Sequence, residues 1–356
     1  MPASNAQAGL LADRFNTLFY DEECHTVVVL DRRRYPFEKH YVTCRTLDDV
    51  MYAIQAMIVQ GGPPLAYVAG LGLALVAHHE RSRPASAQLR ALREAAERLR
   101  ALRPTADDVH HLLRHALERA QAALEQGASA HAHILAYVNE EIERGNRVAE
   151  ACGRHAAALL ADGDSLLTHC YPGAAFNYML FYARRDGKQL KVIACETRPY
   201  LQGARLTASQ AVEIGVPVQV ITDGMAAFVM AQGMVTTYVT AADRIALDGA
   251  IANKVGTLEH AIAARHYTIP FYVLGYDGPD PETPTGADIP IEMRDPTEVL
   301  RCGGMSTAVE GVQALYPAFD ITPPELITAI VTERGVFRPS EMWTYWPNHH
   351  GATDAH

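Results

Sequence analysis

Apolar residues recur at helical spacing from Leu47 to about Leu160, and beyond Ser165 short β-branched runs take over. Ahead of both, residues 24–44 alternate apolar pieces with polar turns, which predicts a small antiparallel element around VVVL and HYVTC. The first helical pattern is TLDDVMYAIQAMIV, with Thr46 as its N-cap and an apolar face of Val50, Ile54, Met57 and Ile58. It stops at Gln60-Gly61-Gly62-Pro63-Pro64, where the next helix, LAYVAGLGLALVAHH, presents its N-terminus to the turn. Three more helices follow: ASAQLRALREAAERLRAL, then a segment capped by Thr105, then a long stretch broken near Gly145. From Ser165 strands alternate with helices, beginning SLLTHC, AAFNYMLFYARRDG, LKVIACET and TASQAVEIG. That rhythm predicts a doubly wound, mainly parallel sheet with right-handed crossovers. The expected fold is therefore α/β, with an N-terminal domain at 1–160 (a small antiparallel element plus a helical bundle) and a sheet domain at 161–356.

Length supports two domains, since 356 residues exceed the size at which one core usually stops growing. With 31 Lys+Arg against 41 Asp+Glu the formal charge is −10, and no long basic run appears. Nucleic acid is excluded as the expected partner, while a local basic pocket for a phosphorylated small molecule is not. Six cysteines lack metal-type pairing and the density of a disulfide scaffold, so they read as reduced, cytosolic thiols. No secretory leader and no apolar run of about 18 residues is present, which points to a soluble cytoplasmic protein without a membrane partner.

Candidate chemistry gathers where strands end. SLLTHC runs into His169, Cys170 and a Pro-Gly turn, KVIACETR ends in Glu196 and Arg198, VQVITD in Asp223, and TYVTAAD in Asp243. In an open α/β sheet such ends meet in one crevice, where carboxylates and a thiol could supply an acid and a base. Arg198, Gln202 and Arg205 put donors near a helix start capped by Thr207, and Asn253 and Lys254 open another helix. Donors at helix starts suit a phosphate, as do the backbone amides around Gly61, Gly62 and Pro63. Taken singly, each of these residues reads equally as a buried thiol or a structural ion pair. Cys195 is the second candidate for the reactive thiol. His110 and His111 are adjacent on a helix and point apart, so no metal is expected there. The absence of GxGxxG after the first strand removes the case for a dinucleotide cofactor, and no cofactor is expected.

The segments THC, ETRPYLQGARLT, ITDGMAA, ADRIALDGAIANKVGT, GADIPIEMRDPTEV and YPAFDITPPELITAIVTERGV resemble the methylthioribose-1-phosphate isomerase family. That family shares its fold with ribose 1,5-bisphosphate isomerases and with regulatory subunits of the translation initiation factor exchange complex. The resemblance implies a Rossmann-like second domain, a homodimer and an aldose-ketose isomerisation within methionine salvage. By it, Cys170 and Asp243 are the catalytic pair: Asp243 protonates the ring oxygen, and Cys170 as thiolate moves the C2 proton. Contacts to the phosphorylated sugar fall on Gln60, Gly61, Gly62, Pro63, Arg103, Glu196, Arg198, Gln202, Asn253 and Lys254, with the glycine turn closing over the ligand. Gln60 stands where the family usually has Arg, and Tyr171-Pro172 replaces its usual continuation after the cysteine. Such changes point to a different sugar 1-phosphate as the alternative substrate. A non-catalytic sugar-phosphate or nucleotide-binding regulator is the other alternative, and keeping both Cys170 and Asp243 argues against it.

Overall fold

The computed structural model describes residues 8–102 and 107–347. It divides into two compact units, one of residues 13–147 and the other holding the rest. In the first, β1 (Leu18–Asp21), β2 (Thr26–Leu30) and β3 (Tyr41–Cys44) form the expected antiparallel sheet. Helix α1 (Leu47–Gln55) starts at a capping box: the Thr46 hydroxyl accepts from the Asp49 amide, and the Asp49 carboxylate accepts from the Thr46 amide. It ends earlier than its apolar periodicity suggests, because Met57 turns left-handed at φ 56°. Helix α2 (Gly62–Glu80) is buried nearly all round, and so forms the centre of a bundle with α3 (Ala85–Ala101), α4 (Asp107–Glu125) and α5 (Ala130–Leu159). Arg103 and the Thr105 cap lie outside the described residues.

The break expected near Gly145 is absent, and α5 runs on through it. Glycine is there for proximity: a Cβ at Gly145 would lie 2.4 Å from the hydroxyl of the buried Tyr67. Helix propensity alone favours alanine by about 1 kcal/mol. Gly145→Ala is nonetheless expected to lose about 1–2 kcal/mol through overpacking, read as a lower urea midpoint at unchanged slope. A stabilised variant would contradict the packing argument.

The second unit begins with β4 (Ser165–Thr168), α6 (Ala174–Arg185), β5 (Lys191–Cys195), α7 (Ala208–Ile214), β6 (Val218–Ile221), α8 (Ala226–Ala231) and β7 (Thr237–Ala241). The chain continues through β8 (Arg244–Ile245), β9 (Ile251–Lys254), α9 (Thr257–His266), β10 (Phe271–Tyr276), β11 (Arg301–Cys302), β12 (Met305–Ser306), β13 (Phe319–Thr322), β14 (Ala329–Thr332) and β15 (Gly335–Phe337). Seven strands form one sheet in the order β15-β14-β10-β7-β4-β5-β6, all parallel except β15. Strands such as β4, buried at every position, read as continuous apolar runs because helices cover both faces. Residues 8–12 belong to this unit, where the Leu10 and Leu11 amides donate to Glu213 and Gln210. Among the described residues no helix is long and apolar enough to cross a membrane.

The strand order places the chemistry. From β4 the chain steps to β5 and β6 on one side, then returns to lay β7 against the other side of β4. The switch point therefore lies between β4 and β7, and at such a point the crevice beyond the strand ends takes ligands. A small antiparallel sheet, β13-β9-β8, is appended just past β7 and was not foreseen.

Candidate active site

Cys170 follows β4 and Asp243 follows β7, so the two flank the switch point as the strand-end pattern predicts. Cys170 sits at φ 65°, a left-handed conformation that a non-glycine residue holds only when its surroundings impose it. Its amide donates to Thr197 Oγ1 at 2.8 Å, and its carbonyl accepts from Thr207 Oγ1 at 2.6 Å. Thr240 Oγ1 donates to the His169 carbonyl one residue earlier. Neither threonine bond on Cys170 uses the sulfur, and the residue as a whole is half-buried.

Thr207 thus clamps the cysteine turn from within a π-helical turn at Gly203–Thr207, and does not cap a helix as expected. Asn253 and Lys254 likewise do not open a helix. They end β9, and α9 starts at Thr257 after Gly256, whose φ of 104° carries the turn. The pairing of Asn253 with Asp320 and of Lys254 with Phe319 explains why local sequence did not reveal the strand. Asn253 gives its amide hydrogens to Thr240 Oγ1 and Thr257 Oγ1, both at 2.9 Å, which ties it into the framework behind Cys170.

Lys254 is buried, with its ammonium 5.0 Å from the Phe319 ring centroid and 5.7 Å from that of Tyr316. Burial lowers its pKa, while Cys170, Asp243 and Glu292 hold it up. Burial pushes the Cys170 thiol up to about 11, and Asp243 adds to this; Lys254, the Tyr171 backbone and Arg294 pull the other way. Burial therefore works against the expected thiolate, and Lys254 works for it. Asp243 is reached by solvent, yet the protein around it still raises its carboxyl above the usual range, with Lys254 and Arg294 opposing. Desolvation thus favours the neutral form of both groups. Iodoacetamide should modify Cys170 about tenfold faster per pH unit between pH 7 and 9, followed by mass of the Cys170 peptide. A rate independent of pH would contradict the elevated thiol pKa.

Around the pair, the Asp223 carboxylate accepts from the Thr197 and Arg198 amides at 2.8 and 2.7 Å. Arg198 turns its guanidinium to the carbonyls of Pro199 and Val299, so its charge is already engaged. Glu196 is half-buried, its carboxyl raised by burial and by Asp223. Gln202 keeps a shielded Oε1 without a partner among the described residues. Cys195 is fully buried and its thiol pushed up by burial, which removes it as the reactive cysteine. Gln60, Gly61, Gly62 and Pro63 lie in the other unit. There Gln60 is buried, with Nε2 donating to the Met57 carbonyl, and a Cβ on Gly62 would meet the Asp108 carboxylate at 2.8 Å.

Sequence reasoning gave no role to Glu292 and Arg294, although both act electrostatically on the site. Arg294 pairs with Glu292 at 3.3 Å, and its amide donates to the Tyr316 carbonyl. The segment IEMRD was visible as a motif, but only its fold-back beside Tyr316 brings it to Lys254. Among the described residues, two sets of side chains have metal-binding composition: His25, His78 and His131 in the first unit, and His169, Cys195 and His260 in the second.

The model of the initiation factor 2 subunit family matches residues 58–339. A methylthioribose-1-phosphate isomerase of Chloroflexus aurantiacus is 41% identical over 326 residues, covering 89% of this chain and 94% of that one. One of Thermotoga maritima is 40% identical over 326 residues, covering 88% and 93%. Among solved structures, 5-methylthioribose 1-phosphate isomerase from Pyrococcus horikoshii superposes with a TM-score of 0.85 at 32% identity, covering 96% of this chain and 97% of that one. The translation initiation factor eIF-2B subunit delta from A. fulgidus gives a TM-score of 0.77 at 34% identity, covering 91% and 96%. With a full-length frame, a matching family model and Cys170 and Asp243 at the switch point, the chain belongs to the initiation factor 2 subunit family, among its methylthioribose-1-phosphate isomerases.

Proposed function

We propose that this protein is a methylthioribose-1-phosphate isomerase, converting the cyclic aldose 1-phosphate into the open ketose 1-phosphate, and that it works as a cytoplasmic homodimer. The observation that carries the reading is the pairing of a strained cysteine with a carboxyl of raised pKa at one switch point. A phosphorylated anomeric oxygen cannot open its ring spontaneously, so an acid is needed. Asp243 donates a proton to the ring oxygen as the bond from C1 breaks, leaving a C1 cation stabilised by the phosphate-bearing oxygen. By this reading, Lys254 and Gln202 are assigned to the phosphate and hydroxyls.

Two routes then balance. In the first, Cys170 as thiolate takes the C2 proton, giving an enol; the thiol exchanges its proton with solvent and delivers one to C1 while the Asp243 carboxylate takes the proton of the C2 hydroxyl. In the second, the C2 hydrogen moves to C1 as hydride, the thiol stays protonated, and Asp243 again recovers its proton from the C2 hydroxyl. Burial of the thiol opposes the first route, and Lys254 and Arg294 support it. Incubation with methylthioribose 1-phosphate in D2O, followed by proton NMR, tests both function and route. Ketose carrying deuterium at C1 supports the thiolate route, and ketose without it supports the hydride route. No ketose from folded protein would overturn the assignment.

A further inference from the structure

Behind Cys170 lies a cluster that the isomerase chemistry does not use. His169, Cys195 and His260 are each no more than 1% exposed, and one ligand atom from each lies within 4.8 Å of the others. His169 Nε2 is 2.9 Å from the Val255 carbonyl, and His260 Nε2 is 3.2 Å from the Asp223 carbonyl. A carbonyl can only accept, so each Nε2 carries the proton and each Nδ1 keeps its lone pair. Both Nδ1 atoms are sealed from solvent and have no hydrogen-bond partner. Unpaired acceptors at such depth destabilise a fold, so something must satisfy them.

We propose that His169, Cys195 and His260 form a three-ligand site for a divalent cation of the zinc type, built into the core behind the catalytic turn. Asp223 stands at the edge of the cluster, its Oδ1 3.8 Å from His169 Nδ1 and its side chain 28% exposed. Tetrahedral ligation with bonds of about 2.0–2.3 Å sets donors roughly 3.3–3.6 Å apart, so a small inward movement closes the site. Imidazole and thiolate suit zinc, and the Cys195 thiolate with the Asp223 carboxylate nearby would offset its two charges. The outer shell also fits. Ligating histidines usually donate the other N–H to a carbonyl or carboxylate, as both do here, and the Asp223 carboxylate is itself held by the Thr197 and Arg198 amides. Such a cation would tie the ends of β4 and β5 to α9, fixing the turn that aims Cys170.

The test uses the full-length protein made in zinc-containing medium, dialysed briefly against EDTA and analysed for metal. About one zinc per chain should remain in the wild type and in His131→Ala, and be lost in Cys195→Ala and His260→Leu. Refolding with cobalt(II) should give a thiolate-to-cobalt charge-transfer band that Cys195→Ala lacks. Wild type that retains no metal and shows no band would overturn the proposal and leave the cluster to buried water. Metal that persists in Cys195→Ala and disappears in His131→Ala would also overturn it, placing the ion on the His25, His78 and His131 trio. The wild-type band decides the matter even where a core variant fails to fold.

Discussion

Cys170→Ser is expected to fold as the wild type does and to lose turnover by about 10³- to 10⁴-fold. Folding should survive because what holds residue 170 at φ 65° is its backbone, bonded to Thr197 Oγ1 and Thr207 Oγ1, and not its sulfur. Turnover should not survive. A serine hydroxyl is smaller, far less acidic and less polarisable, so it can neither take the C2 proton nor replace the sulfur against the reacting carbons. Steady-state kinetics beside a urea denaturation curve separates the two effects. Turnover within tenfold of wild type would remove Cys170 from the chemistry.

Asp243→Asn should reduce kcat by about 10²- to 10⁴-fold with little change in KM, because the amide keeps the shape but has no acid proton to give. It carries a second signature. Asp243 is one of the causes that raise the Cys170 thiol, so its removal should lower that pKa and speed alkylation of Cys170 at fixed pH. Lost turnover with faster labelling is what a carboxyl acting beside the thiol predicts. Slower labelling with lost turnover would instead mean that the substitution had disturbed the turn.

Much of this arrangement was legible in the chain. The change of texture at Ser165 announced the sheet, and the polar residues ending SLLTHC and TYVTAAD marked where a parallel sheet collects its chemistry. Local rules also fixed the start of α1, because a capping box is written in four residues. What escaped was non-local. Asn253 and Lys254 looked like the opening of a helix because the partner that makes them a strand, β13, lies more than sixty residues on. Gly145 looked like a break because its reason, the Tyr67 hydroxyl, belongs to a different helix. Thr207 looked like a cap, and Cys170 like a thiolate, because burial is a property of the folded unit. A helix start and a lysine argue for an ionised thiol; desolvation reverses the balance. Arg294 and Glu292 were missed for the same reason, since nothing in IEMRD says that it folds back beside Tyr316.

The most direct measurement is ³¹P NMR of methylthioribose 1-phosphate incubated with the wild type, Cys170→Ser and Asp243→Asn at equal concentration. Isomerisation moves the phosphorus from a glycosyl to a primary ester environment without breaking its bond to oxygen. The account predicts that the glycosyl resonance is replaced by the primary-ester resonance with the wild type alone on the timescale of its turnover. An unchanged glycosyl resonance with folded wild-type protein, or equal conversion by all three chains, would contradict it.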